Sequence, residues 1–294
     1  MVGRRIKQKL LQKGYDVRIL TRNLLFRDDH VQVYHGDIDD IDALKRFLKN
    51  VNYLFHCAAE LQNESKMWNI NVSCTEMMLK IIPQSVTYFC YLSSAGVIGL
   101  TDESLVDEQS QCNPQNQYEK SKLAAEKLVA ASVGTRSTVI LRPTDVIDEQ
   151  RPGAVALPLR GSLLDKLVVF LKGNERAHIV HAEDVAEAAV YFINNNFEKP
   201  SCFFVSCDHE PFNTFGGLWE LYESVQEGLP AARISRKIYL PIIIPYVLRR
   251  LGRGPCNLGN VRYSSSRLLS TGFRYRLGVE GAVRAIASAQ QFYD

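Results

Sequence analysis

Apolar runs recur through the first half of the chain, YDVRIL, VNYLFHCAA, TYFCYLSS and STVILRP, each preceded by a stretch with helical spacing. Strands that are apolar on both faces need cover on both, and strands separated by helices pair in parallel through crossovers. The pattern predicts an α/β fold, a doubly wound parallel sheet. In residues 4–13, Ile6, Leu10 and Leu11 fall on one helical face, and Gly14 suits a left-handed C-cap. VQVYHGDI adds a strand, and DIDALKRFLKN carries acid at its start and base at its end, as a helix dipole prefers. Further helices are expected near residues 68–82 and in YEKSKLAAEKLVAA. Ligands in such sheets sit at the carboxyl ends of the strands, so the residues just after each strand are the ones to examine.

From about residue 146 the texture changes to Pro- and Gly-punctuated loops around the helices EDVAEAAVYFINN and FGGLWELYESVQ. The expected division is residues 1–145 as a nucleotide-binding domain and residues 146–294 as a smaller substrate-binding lobe, interleaved with the last sheet elements. The stretch IYLPIIIPYVL (238–248) is too short and proline-broken to span a bilayer. It reads as a buried or substrate-covering segment; the alternative, with Arg249, Arg250 and Arg253 beside it, is peripheral contact with a membrane or an apolar substrate. The 294 residues carry 35 basic and 32 acidic side chains without long single-sign blocks, which gives no support to a nucleic-acid surface. Seven scattered cysteines without a CxxC pair speak against a disulfide framework or a zinc site and fit a cytoplasmic protein.

The strongest constellation is SSAGVIG (93–99) at a strand end, followed by Tyr118 and Lys122 in YEKSK. Residues four apart share a helical face, and a nearby ammonium lowers a phenol from about 10 toward neutral, which makes Tyr118 a usable acid or base. Ser94 is placed to hydrogen-bond the same substrate oxygen. His178, His181, Glu183 and Asp184 look metal-like in composition, but their stretch fits a strand running into an acidic helix N-terminus, and no metal is assigned. His56 reads as a core or cofactor-proximal residue.

With these motifs the chain resembles the extended short-chain dehydrogenase/reductase family, which includes nucleotide-sugar epimerases, 3β-hydroxysteroid dehydrogenases and dihydroflavonol-reductase-like enzymes. The matching segments are GRR at Gly3, GDI (36–38), FHCAA (55–59), NINV (69–72), YLSSAGVIG, YEKSK, ILRPTDV and HIVHAEDVAEA. The resemblance implies a Rossmann-type sheet and an enzyme. It makes Tyr118 the catalytic acid/base, Lys122 its partner and a ribose contact, and Ser94 the substrate-oxygen donor. It also implies cofactor contacts from Gly3, Asp37 and Ile38 near the adenine, Ala58 and Ala59, Tyr118 and Lys122, and Pro143 and Thr144 near the nicotinamide. A homodimer follows only by the same analogy. Asp37 has a second reading as N-cap of DIDALKRF. Arg22, with no acid at the end of its strand, favours NADP(H), with NAD(H) also admitted.

Hydride transfer at a hydroxyl or carbonyl carbon is thus expected, but not its outcome. Dehydratases of the family carry Asp-Glu where this chain has Ala95-Gly96. Sugar epimerases carry tyrosine at Ile98 and asparagine at Asp145, and Arg176 stands one position from the arginine that grips a diphosphate. A reductase or dehydrogenase acting on an alicyclic or sterol-like ketone is at least as well matched as a nucleotide-sugar epimerase. A catalytically silent dinucleotide-binding protein is the third reading. Against the family pattern, Gly3 aligns with the last glycine of the phosphate turn, the one that permits close helix–strand packing. The first strand and two earlier glycines have no counterpart. The expectation is a gap in the middle of the sheet, weak NADP(H) binding, marginal folding, and a natural chain beginning roughly a dozen residues upstream.

Overall fold

The computed structural model describes residues 1–132, 136–230, 234 and 237–290. Strands β1 (Arg18–Thr21), β2 (Gln32–His35), β3 (Tyr53–His56) and β4 (Tyr88–Leu92) alternate with helices α1 (Val2–Gln12), α2 (Ile41–Leu48), α3 (Glu64–Trp68), α4 (Cys74–Ile81) and α5 (Gln117–Ala131). A two-residue β5 (Leu105–Val106) precedes α5, and β6 (Ser137–Pro143) follows it. The later elements are β7 (Asp145–Ile147), α6 (Ala156–Arg160), α7 (Leu163–Lys172), β8 (Ile179–His181), α8 (Ala182–Tyr191), β9 (Ser201–Val205), α9 (Phe215–Gln226), α10 (Ile243–Arg253), β10 (Arg262–Tyr263), α11 (Ser266–Ser270) and α12 (Gly278–Gln290).

The main sheet has the order β3-β4-β6-β9, all parallel. Its period-2 alternation explains the continuous apolar runs. Tyr88 and Cys90 of β4, with Val139 and Leu141 of β6, pack into one core, whereas Phe89, Tyr91 and Ile140 pack into the other. The first core is closed by α1, α8, α9 and α12, the second by α2, α4 and α5. Each fully buried ring such as Phe89 contributes about 2–3 kcal/mol to this two-sided burial. β9 belongs to the main sheet although it lies beyond residue 145.

β1 and β2 form a separate parallel pair. Between β1 and β3 lies a cavity of about 1060 Å³, and among the described residues neither facing edge has a strand partner. The edge-to-face rings of Tyr15 and Tyr53, with centroids 5.6 Å apart, touch from the two sides. The first helix keeps its place through α8. Val2, Ile6 and Leu10 enter the core, and the buried Lys9 ammonium donates to Glu183 (2.7 Å) and to Glu187. Arg5 pairs with Glu149. Gly14 takes the left-handed conformation expected of it, with φ +79°.

The segment 238–248 departs from the expectation of burial. α10 is strongly amphipathic, and Ile243, Ile244, Val247, Leu248 and Leu251 stand exposed; among the described side chains of the helix, Pro245 alone is buried. No helix among the described residues is long and apolar enough to cross a membrane.

Removing the Lys9 ammonium takes from Glu187 its cation and leaves Glu183 with Arg5 and Arg276, at a partly solvated edge of the α1–α8 contact. Lys9→Ala is expected to lower the unfolding free energy by about 2 kcal/mol in urea titrations, and a loss under about 0.5 kcal/mol contradicts the anchoring role of this contact.

Candidate active site

Helix α5 begins where Asn116 caps it. The Glu119 amide donates to Asn116 Oδ1 (2.9 Å), and Glu119 reaches back to the Gln115 and Asn116 amides, a capping box worth about 1 kcal/mol. This start places Tyr118 in the first turn and Lys122 one turn later. Opposite, β4 ends at Leu92, and Ser94 Oγ accepts from the Gly96 amide (3.1 Å) to open a short 3-10 turn, Ala95–Ile98. Gly99 closes it at φ +62°, where an added Cβ would lie 1.9 Å from the Asn113 carbonyl oxygen, so only glycine fits.

The charge arrangement differs from the expectation of a lowered phenol. Burial raises the Tyr118 pKa, while the neighbouring Ser94 hydroxyl pulls it back down. Lys122 does not offset the burial, because its ammonium donates to the Leu92 carbonyl and lies 4.6 Å from the centre of the Tyr91 ring. Burial brings Lys122 itself down to about 8. In this arrangement Tyr118 stays a protonated phenol, and the Lys122 ammonium is directed at the Leu92 carbonyl.

Beneath the pair runs a network that sequence reasoning missed. Glu126 accepts from Arg142 Nε (3.1 Å), from Arg142 Nη2, and from Ser93 Oγ (2.7 Å), and all three residues are buried. It joins α5 to the ends of β4 and β6, immediately before Ser94 and Pro143. The available signal was Glu126 four residues after Lys122, on the same face. Arg142 Nη1, Tyr91 OH and Thr144 Oγ1 are buried without a partner among the described residues. Polar atoms left in this way commonly mark a place for water or ligand.

The residues expected at the adenine side gather elsewhere, around the cavity between β1 and β3. Gly3, Arg22, Asp37, Ile38, Ala58 and Ala59 all line it. Asp37 is not the N-cap of α2: Asp40 takes that place, accepting from Asp42 and Ala43 amides (3.0 Å each). Asp37 instead accepts from its neighbour Ile38 (2.7 Å) and faces Arg22 at 3.7 Å, an exposed pair of little energetic weight. Gly3 departs from the close-packing reading. A Cβ there would meet Cys57 Cβ at an ordinary 3.7 Å, because α1 stands back across the open cavity. Cys57 links the two groups of residues. Burial raises its thiol to about 11, and the Lys122 charge acts on it in the opposite direction. Pro143 ends β6, and the Thr144 amide donates to Val205 O (3.2 Å), so both sit on the Tyr118 side and outside the cavity lining.

His56 is buried, its Nε2 lies 2.9 Å from Thr75 Oγ1, and burial holds its pKa at about 3. The metal-like residues have other employment. His181 caps α8, Asp184 accepts from three successive amides at 276–278, Glu183 holds Lys9, and His178 Nδ1 lies 2.7 Å from Asp208.

A parallel sheet with cores on both faces, a strand-end serine, and tyrosine and lysine one helical turn apart define an α/β protein of the extended short-chain dehydrogenase/reductase type. The profile of the NAD dependent epimerase/dehydratase family matches residues 1–205, and the chain belongs to that family. It is 28% identical over 161 residues to a sterol-4-alpha-carboxylate 3-dehydrogenase (decarboxylating) of Dictyostelium discoideum, covering 48% of this chain and 49% of that protein. To a 3 beta-hydroxysteroid dehydrogenase/Delta 5-->4-isomerase of Mycobacterium tuberculosis it is 26% identical over 258 residues, covering 80% and 69%. The chain spans about half the length of the first curated relatives it matches. Among solved structures, a short-chain dehydrogenase/reductase superfamily protein of Agrobacterium tumefaciens with bound NAD superposes with a TM-score of 0.75 at 19% identity, covering 100% of this chain and 95% of that one. The UDP-glucose 4-epimerase of Thermotoga maritima with UDP-glucose gives 0.72 at 17%, covering 100% and 96%. These two likenesses show the fold.

Glu126→Gln leaves the buried Arg142 guanidinium without its counter-charge. The expected cost is about 3 kcal/mol in chemical denaturation, with the paired exchange Glu126→Gln/Arg142→Met recovering more than half of it; equal losses in the single and double variants contradict the coupling.

Proposed function

We propose that the chain is an NADP(H)-dependent reductase or dehydrogenase acting on an alicyclic or sterol-like ketone or alcohol, with Tyr118 as its acid/base and residues 146–294 supplying the substrate-binding lobe. The observation that carries this reading is the placement of Ser94 and Tyr118, from β4 and α5, at the carboxyl end of the sheet. The cavity lined by Gly3, Arg22, Asp37, Ile38, Ala58 and Ala59 suits the adenosine end of a dinucleotide. Arg22, exposed beside Asp37, is a candidate for a 2′-phosphate. The sterol-dehydrogenase relatives support the substrate class.

When bound, the nicotinamide supplies the hydride to the carbonyl carbon. Tyr118, held neutral by burial, donates its proton to the carbonyl oxygen, and Ser94 donates a hydrogen bond to the same oxygen. The products are the alcohol, the oxidised nicotinamide and a Tyr118 phenolate, which the Ser94 hydroxyl stabilises until solvent returns the proton. Pro143 and Thr144, next to Arg142, would border the nicotinamide.

A nucleotide-sugar epimerase is the second reading, favoured by the epimerase neighbours. Against it, Ile98 is fully buried, and Arg176 donates to the Asp208 carbonyl (3.2 Å), which commits the guanidinium within the lobe. The third reading, a silent dinucleotide binder, is weakened by the retention of Ser94, Tyr118 and Lys122 together.

The test is NADPH oxidation against a panel of alicyclic and steroidal ketones and UDP-sugars. Stoichiometric oxidation with a ketone, reduced at least about 100-fold by Tyr118→Phe, supports the assignment. UDP-sugar interconversion without net oxidation selects the epimerase reading, and turnover unchanged by the substitution removes Tyr118 from the mechanism.

A further inference from the structure

Helices α7 and α10 present the largest run of exposed apolar side chains among the described residues. Leu163 is 84% exposed, Leu164 74%, Leu248 62% and Leu251 80%, and Ile238 on the approach to α10 is 90% exposed. Apolar side chains left exposed at this density on two helices are unusual on a free monomer and point to a contact. Both helices are tethered to one turn. The Leu240 amide donates to the Phe170 carbonyl (3.1 Å), Asn174 Nδ2 donates to the Leu240 carbonyl (2.9 Å), and Arg249 pairs with the buried Glu175.

The charge is one-sided. Lys166, Lys172 and Arg250 lie on the two helices, whose one acid, Asp165, is held by Arg160 and Ser162, while Arg249 is committed to Glu175. Tyr246, which accepts from Arg250, adds an aromatic with a polar tip, the kind of side chain that sits at headgroup level.

From this surface we infer that α7 and α10 dock the protein onto an anionic lipid bilayer, lying in the interface with their leucines and isoleucines inserted and their cations against lipid phosphates. The 11 residues of α10 give about 16 Å of helix, roughly half a hydrocarbon core, so the helix lies along the surface and does not cross it. Charge selects the bilayer over a second copy of the chain. A two-fold dimer through this face would set its excess of cations against the same excess, whereas acidic headgroups neutralise it. Hydrogen bonds of the 257–259 loop join the docked face to the candidate active site. The Arg176 amide, next to Glu175, donates to the Gly259 carbonyl (2.8 Å), and Asn257 in the same loop donates to the carbonyl of Gly99 (2.9 Å), which closes the Ser94 turn. A substrate dissolved in the bilayer would reach the lobe from this side; that last step rests on the proposed function, while the docking itself does not.

The experiment is flotation of the full chain with vesicles of phosphatidylcholine alone or with about 30% phosphatidylserine. The expected result is flotation with the serine-containing vesicles, weakened at least about tenfold by Leu248→Asp/Leu251→Asp and by high salt. These positions are exposed, so the variant should keep the wild-type circular dichroism and thermal midpoint. Absence of flotation with serine-containing vesicles overturns the proposal, as does flotation unchanged by the double substitution. A wild-type dimer that the same substitutions dissociate, without vesicle binding, assigns the face to a second copy instead. Loss of ketone reduction in Tyr118→Phe leaves flotation untouched, so the two readings fail separately.

Discussion

The buried Glu126–Arg142 pair holds together the end of the sheet that carries the candidate site. One carboxylate receives a guanidinium from β6, a hydroxyl from the end of β4, and its own helix carries Lys122 one turn earlier. Such a pair gains little over an apolar replacement, but leaving either half alone is costly, so it fixes relative position more than it adds stability. Ser94 follows Ser93, Pro143 follows Arg142, and Lys122 precedes Glu126. Three elements that contribute to the candidate site are therefore registered by one contact.

The rest of the site depends on a part of the sheet organised differently. Beyond β3 the parallel pairing stops, and a cavity of about 1060 Å³ separates it from β1 and β2. The residues expected at the adenine side surround this cavity, while Tyr118, Ser94 and Thr144 stand outside its lining. The α1–α8 contact, sealed by Lys9, keeps the outer pair attached. A dinucleotide would have to extend from one cluster to the other past Cys57, which faces both Gly3 and the Lys122 charge.

Much of this was legible in the sequence because burial on both faces and helical spacing are local signals. The apolar runs of β3, β4 and β6, the C-cap at Gly14 and the Tyr118–Lys122 spacing all come from patterns within about ten residues. What was not legible depends on partners far along the chain. Glu126 becomes a buried ion only because β6 brings Arg142 against it. Lys122 turns to the Leu92 carbonyl, so the phenol is not lowered. Asp40, not Asp37, caps α2, a choice made by three residues of loop geometry. The segment 238–248 has the composition of a core, but it is covered only in part: Tyr239 donates to Glu220 and Leu240 is tied to Phe170, whereas Ile243, Ile244, Val247 and Leu248 of α10 stand exposed. Gly3 lost its packing role because α1 faces an open space where close approach was expected.

The central claim is that one cofactor spans the cavity cluster and the Tyr118 cluster. Hydrogen–deuterium exchange across an NADPH titration measures this directly. The account predicts protection that rises with one common dissociation constant in peptides covering residues 18–22, 36–38, 56–59 and 118–122. Protection confined to one cluster, or absent from both, would contradict it.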